Sequence, residues 1–193
     1  NIQTWLNAPN KSLKSDQVEI DDVKYLVGNT DAAALIGQEV EFYAEENENG
    51  EKVLKKIRAT NKNTVETIHA SDIISVSFDE IKYYVNNGES EEIFDISENV
   101  KVVKNGRRIL VPTVDDLNIS KGSLTLIDND NDLVADILFI EEYVNVKVAK
   151  VLDETIELAV GYSYKGTRFI HIDLDDDDLQ YYFYDANKSV IEL

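Results

Sequence analysis

The sequence predicts a mainly β fold, made of small barrel or sandwich units built from antiparallel hairpins, with one or two short helices. Three observations point there. Short runs of alternating apolar and polar residues recur along the chain, as half-buried strands require. Asn-Gly steps separate several of these runs, the strongest short-range hairpin signal. Helix-start signals are confined to two brief stretches, and strands in regular succession with Gly and Asn turns indicate an all-β architecture.

In chain order, Asn1 to Lys14 is polar apart from Trp5-Leu6 and reads as an arm or linker. Trp5 either packs on its own domain or anchors into a neighbouring subunit. Val18 to Val27 holds Val23, Tyr25 and Val27 at period two and predicts one half-buried strand. After Gly28-Asn29, the run from Thr30 to Ile36 predicts a short helix, with Thr30 or Asp31 as N-cap and Gly37 as its stop. Glu39 to Ala44 and Val53 to Ala59 flank Asn49-Gly50 and predict a hairpin. Thr64 to Ile68 is a further alternating strand. Ile81 to Val85 and Glu91 to Ile96 pair across Asn86-Asn87-Gly88. Val100 to Val103 and Arg108 to Val111 pair across Asn105-Gly106, which can supply the two positive-φ residues of a type I′ turn.

Thr113 to Ser120 predicts a single helical turn. Ser123 to Ile127 and Val134 to Ile140 are strands around the acidic turn Asp128 to Asp132. Val144 to Leu152, Thr155 to Tyr164, Arg168 to Leu174, Gln180 to Tyr184 and Ser189 to Leu193 complete a β-rich C-terminal half. The organisation expected is an arm over 1–17, a first β-rich unit over 18–98 and a second over 99–193. A weak internal echo accompanies it: 40–68 and 124–158 each run strand, acidic turn, strand, and end in Thr64-Val65-Glu66-Thr67-Ile68 and Glu154-Thr155-Ile156-Glu157-Leu158. It reflects either two related units or the shared texture of acidic β-sequences.

The charge narrows the partners. Thirty-eight acidic against 19 basic residues leave −19. Nucleic-acid affinity comes mainly from Lys and Arg displacing counterions, so this surface disfavours DNA, RNA and anionic lipid. Cations, basic surfaces and carbohydrate remain suitable, and the same charge also serves solubility. With no cysteine, disulfides, thiolate metal sites and cysteine nucleophiles are excluded. No apolar run approaches the roughly 20 residues that span a bilayer, so membrane insertion is not expected. The chain starts at Asn1 and holds no Met, as a processed product or a piece of a longer chain would.

The stretch from Asn105-Gly106 to Tyr143, NGRRILVPTVDDLNISKGSLTLIDNDNDLVADILFIEEY, resembles β-rich segments that follow S-layer homology domains in surface proteins of low-GC Gram-positive bacteria, and related phage structural proteins. Leu35-Ile36-Gly37-Gln38-Glu39-Val40 looks like the segment that precedes it there. The resemblance covers roughly 18–148. It implies a structural scaffold at an extracellular cell surface or in a virion, with copies of itself or other structural proteins of the same assembly as partners, and not a reaction. The family's segment is close to a calcium loop, Asp-Asn-Asp-Gly-Asp-Gly-x-x-Asp. Here it reads Asp128-Asn129-Asp130-Asn131-Asp132-Leu133-Val134-Ala135-Asp136, without the glycines.

Calcium takes six to eight oxygen ligands. Asp128, Asp130 and Asp132 stand at positions one, three and five of such a loop and Asp136 at nine, but Leu133 replaces the expected Gly at six and Phe139 the Glu at twelve. The segment is therefore either a partial Ca²⁺ site or a solvated polar turn. Asp175, Asp176, Asp177 and Asp178 form a run of four acids, a solvated loop or else a cation or basic docking site. Lys104, Arg107 and Arg108 make a small basic spot on the hairpin that either balances local charge or docks an acidic neighbour. Tyr182 and Tyr184 share one face of an aromatic strand and pack in a core, fill an interface or stack on a sugar. His69 and His171 are too few for a zinc site. No nucleophile-elbow, phosphate-loop or His-Glu-x-x-His motif occurs, so no enzyme is expected. The function expected is an assembly module, with a carbohydrate-binding or adhesion module as the alternative.

Overall fold

The computed structural model describes residues 2–3, 13–164, 166–175, 181, 183–184 and 190–191. The fold is mainly β, with only short helical turns. The chain divides into two compact units, Asn1–Tyr143 and Val144–Leu193.

The first unit holds two sheets. One contains β1 (Ile2–Gln3), β2 (Gln17–Ile20), β3 (Val23–Leu26), β4 (Val40–Glu46) and β5 (Lys52–Ala59), in the order β1-β2-β3-β5-β4. Val18, Ile20, Ala32 and Leu54 are its buried centre, joined by Tyr25, Val27, Leu35, Ile36 and Val40. The single strand expected over 18–27 is a hairpin. Asp21 and Asp22 take φ of 48° and 63°, so the chain reverses between Ile20 and Val23. Two aspartates can occupy this left-handed pair because their short polar side chains tolerate it better than most. The short helix after Gly28 is present as a 3₁₀ turn, Ala32–Leu35, but neither proposed N-cap acts as one. Asp31 makes no capping bond, and the Thr30 hydroxyl donates to the Val27 carbonyl at 2.6 Å. The Asn49-Gly50 hairpin joins β4 and β5 as expected.

The second sheet contains β6 (Thr64–His69), β7 (Ile73–Val76), β8 (Glu80–Val85), β9 (Ser90–Lys104), β10 (Arg107–Ile109), β11 (Gly122–Asp128) and β12 (Val134–Glu142). The order is β6-β11-β12-β9-β8-β7, with β10 also on β9. The core lies on one face, where Ile81, Leu124, Leu126, Leu138, Ile140 and Val102 are essentially inaccessible. The hairpins across Asn86–Gly88 and Asn105-Gly106 are both present; Asn105 and Gly106 adopt φ of 48° and 77°, as a type I′ turn demands. A helical turn, α1 (Val114–Leu117), has a reciprocal cap. The Thr113 backbone N–H donates to the Asp116 carboxylate at 2.9 Å, and the Asp116 N–H to the Thr113 hydroxyl at 3.3 Å.

Three expectations are corrected here. The division at 98/99 falls inside β9, a single strand from Ser90 to Lys104 whose register against β12 shifts between Ile96 and Lys101. Residues on both sides of it are woven into one sheet, because β11 pairs with β6 and β12 pairs with β9. The architecture is not hairpins alone, since β9–β12 and β3–β5 are parallel pairs. Finally, β10 stops at Ile109, before Pro112, and leaves Leu110 and Val111 each 82% exposed.

Gly122 opens β11 at φ 105°, and a Cβ there would fall on the Glu141 carbonyl, so only glycine allows β11 and β12 to approach this closely.

The second unit has an antiparallel sheet of β13 (Val148–Leu152), β14 (Thr155–Tyr164) and β15 (Thr167–Asp173), and a pair, β16 (Phe183–Tyr184) with β17 (Val190–Ile191). Its first strand starts four residues later than the Val144 expected. Ile156 and Leu158 are buried, and Tyr162 stacks on Phe169 with centroids 5.2 Å apart. The internal echo has no structural counterpart. Its first copy ends in β6, an edge strand of the second sheet, whereas its second copy ends in β14, in the other unit. Acidic strands share sequence texture without sharing a place in the fold.

Candidate metal centre

The turn between β11 and β12 gathers carboxylates where two buried strands end. Leu124, Leu126 and Ile127 bury β11, and Asp128, its last residue, is fully buried as well. A buried carboxylate needs donors. Asp128 Oδ1 accepts the N–H of Asp130 at 3.1 Å and of Asn131 at 2.8 Å, and its Oδ2 accepts the N–H of Leu133 at 2.9 Å. The turn is thus wound around the Asp128 side chain. Asp136 ties the other end, its Oδ2 accepting the Asn129 N–H at 3.1 Å. The Asn129 amide then donates to the Gly37 carbonyl at 3.3 Å, which fixes the turn to the segment before β4. Gly37 sits close against Phe139, Ile127 and Ile137, where a Cβ would meet their side chains at 3.0–3.2 Å.

Winding so tightly requires left-handed backbone. Asn131 and Leu133 both have φ of 69°. Leu133 occupies the position where a calcium loop uses glycine. The loop's backbone conformation is therefore kept there with a side chain present, which projects outward and is 71% exposed.

Oxygens of Asp128, Asp130 and Asp136 lie within 4.8 Å of one another, and the three carboxylates could hold a metal ion. The donor set suits a hard cation, being oxygen only. Asp128 Oδ1 already accepts two N–H groups, whereas Asp128 Oδ2 and Asp136 Oδ2 accept one each and keep a second lone pair for an ion. Asp132 is corrected out of the ligand set: its Oδ1 accepts the Val134 N–H at 2.9 Å, which holds the side chain on its own strand end. It acts on the group through charge. The Asp130 carboxyl is held above its ordinary range, first by loss of solvent and then by the negative charges of Asp132, Asp136 and Asp128, with a backbone hydrogen bond at Asp132 working the other way. A cation among them would reverse that balance.

Arg107 and Arg108 are exposed on β10. Asp175 is exposed, its N–H donating to the Asp173 carboxylate at 3.1 Å, whereas Asp176, Asp177 and Asp178 lie outside the described residues. Trp5 and Tyr182 also lie outside them, and Tyr184 is described only as backbone in β16.

Two features escaped the sequence reading. Lys104 and Glu142 form an ion pair with Nζ–Oε2 of 2.6 Å while only 15% and 5% of their side chains remain exposed. Beside it, the Asn105 side chain clamps residue 142, donating to its carbonyl at 3.1 Å and accepting its N–H at 3.0 Å. The only hint was opposite charge at the ends of two apolar strands. The second is an open groove of about 620 Å³ beside β4 and β5, lined by residues that include Asn29, Asp31, Phe42, Tyr43 and Arg58.

No helix among the described residues is long and apolar enough to cross a membrane. A comparison with protein-family models, curated proteins and solved structures finds no match to this chain.

Proposed function

We propose that the chain is a structural module that works by protein–protein contact within a larger assembly, a bacterial surface layer or a phage particle. The observation that carries this reading is the character of the sheet edges. β4, β6 and β7 each have a strand neighbour on one side only among the described residues. Each also exposes large apolar side chains: Phe42 and Tyr43 on β4, Val65 on β6, Ile74 on β7. An open edge offers unpaired N–H and C=O groups to another strand, and apolar side chains beside it add contact area. The acidic surface limits indiscriminate association, which leaves pairing to complementary partners.

The ion of the Asp128–Asp130–Asp136 turn is calcium in this reading, bound outside the cell or in the virion, where it stiffens the β11–β12 connection. A second reading, carbohydrate binding, is favoured by the groove at β4 and β5. There Tyr43 is 57% exposed and Asn29, Asp31 and Arg58 supply polar groups.

Light scattering on a sizing column, with and without millimolar calcium, tests the proposal. Assembly predicts a mass above the 21.9 kDa of one chain. A monomer in both buffers that binds immobilised glycans, with loss of binding in Tyr43→Ala, would replace assembly by the sugar reading.

A further inference from the structure

Three Asn-Gly steps sit at hairpin tips: Asn49-Gly50 between β4 and β5, Asn87-Gly88 between β8 and β9, and Asn105-Gly106 between β9 and β10. Such a step carries a chemistry of its own. Glycine has no Cβ to shield its backbone nitrogen, which can attack Cγ of the preceding asparagine. An N–Cγ bond forms, the carboxamide nitrogen leaves as ammonia with the glycine N–H proton, and a five-membered succinimide closes. Water then opens one of the two ring carbonyls. The product is aspartate or, with the chain rerouted through the side chain, isoaspartate. The ring closes only where the carboxamide is free to swing onto the glycine nitrogen.

The three steps differ in that freedom. Asn105 is held at three points. Its Nδ2 donates to the Glu142 carbonyl at 3.1 Å, its Oδ1 accepts the Glu142 N–H at 3.0 Å, and its own N–H donates to the Ile140 carbonyl at 2.8 Å. All three asparagines are exposed, so exposure does not separate them. The side chains of Asn49 and Asn87, however, have no hydrogen-bond partner among the described residues. The Asn49 turn is tied only to itself: the Asn49 N–H donates to Asn47 Oδ1 and the Gly50 N–H to the Asn47 carbonyl, each at 3.0 Å. At the β8–β9 tip Asn86, Asn87 and Gly88 take φ of 53°, 58° and 89°, and a Cβ on Gly88 would meet nothing within 4 Å. We infer that Asn49 and Asn87 are sites of spontaneous deamidation in the folded protein, and that the clamp on Glu142 protects Asn105. Releasing the clamp breaks two hydrogen bonds, which slows Asn105 on the order of 30-fold against the other two. Each conversion adds one negative charge to the tip where it occurs, and isoaspartate also lengthens the backbone of that turn.

The test incubates the full chain in warm, mildly alkaline buffer, folded in one sample and unfolded by urea in the other, until the unfolded chains have largely reacted. Peptide mass spectrometry then reads the amide-to-acid mass gain at each asparagine over time. In urea, where no clamp exists, the three sites should react at similar rates. In the folded chain Asn49 and Asn87 should still react, with Asn105 on the order of 30-fold slower. Asn105 keeping pace with the other two in the folded chain overturns the protection by Glu142. Asn49 or Asn87 staying as intact as Asn105 in the folded chain overturns its assignment as a site.

Discussion

Replacing Glu142 by Ala strands a lysine in the interior of the first unit. In the native chain the Lys104 ammonium lies 2.6 Å from Glu142 Oε2, and its other described partner is the Asp116 carbonyl at 3.3 Å. At an effective dielectric of about 20 the attraction is on the order of 6 kcal/mol. Removing both groups from water offsets most of that, so the intact pair contributes little net stability. Breaking it is different. With 85% of its side chain covered, Lys104 cannot recover its hydration unless the end of β9 opens. The expected loss for Glu142→Ala is about 3–5 kcal/mol. The double variant Lys104→Met, Glu142→Leu should return to within about 1 kcal/mol of wild type, because neither charge is then left buried. The Asn105 clamp acts on the backbone of residue 142 and survives in both. Urea unfolding read from backbone amides of β12 reports on the first unit alone. A single variant losing less than about 1 kcal/mol, or a double variant as weak as the single one, refutes the argument.

Leu133→Gly should raise stability by roughly 0.5–1 kcal/mol in the same assay, because relief of a left-handed leucine outweighs the chain entropy of glycine and the side chain is mostly exposed. Calcium should raise the melting temperature of the wild type and of Asp132→Ala but not of Asp130→Ala, since Asp132 lies outside the ligand group. Without calcium, the raised Asp130 pKa means the folded state holds that proton more tightly than the unfolded chain. Its contribution therefore favours folding as pH falls through the folded value, and a carbon-detected titration should show the rise vanish when calcium is added. Tyr83 is pushed up to about 12 by burial, then by the charges of Glu66 and Glu92 and a hydrogen bond to Glu92. Its stabilising effect is complete below pH 10 and is lost between pH 10 and 12, roughly 2–3 kcal/mol, a slope that guanidinium unfolding should find reduced in Tyr83→Phe.

Local chemistry was legible and long-range pairing was not. Asn105-Gly106 announced its turn because few other residue pairs accept two positive φ angles. The Asp21-Asp22 turn has weaker chemistry, yet the spacing held a clue. Apolar residues at 18, 20, 23 and 25 break period two by one step between Ile20 and Val23, where a two-residue reversal fits. The parallel pairing of β9 with β12 left no comparable trace, since a strand buried on either side looks the same whichever way its neighbour runs. In the metal turn, three of the four aspartates singled out by their spacing, Asp128, Asp130 and Asp136, fall in the group whose oxygens lie within 4.8 Å of one another. Asp132 was misassigned because its side-chain bond to Val134 depends on a backbone conformation that Leu133 does not advertise.

The place of β11 and β12 between β6 and β9 also sets an order of events during synthesis. β9 is complete at residue 104, but the strand that covers its free side ends at 142; β6, complete at 69, waits for β11, which ends at 128. At 5–20 residues per second, roughly 2–8 s pass between 104 and 142, and until β11 is made the growing chain carries two unsatisfied strand borders facing a vacant slot. A nascent chain arrested before Gly122 would hold that slot open. Ribosome stalling in this window, rather than at either end of the gene, is where the polypeptide should be most prone to capture by chaperones or by other nascent copies.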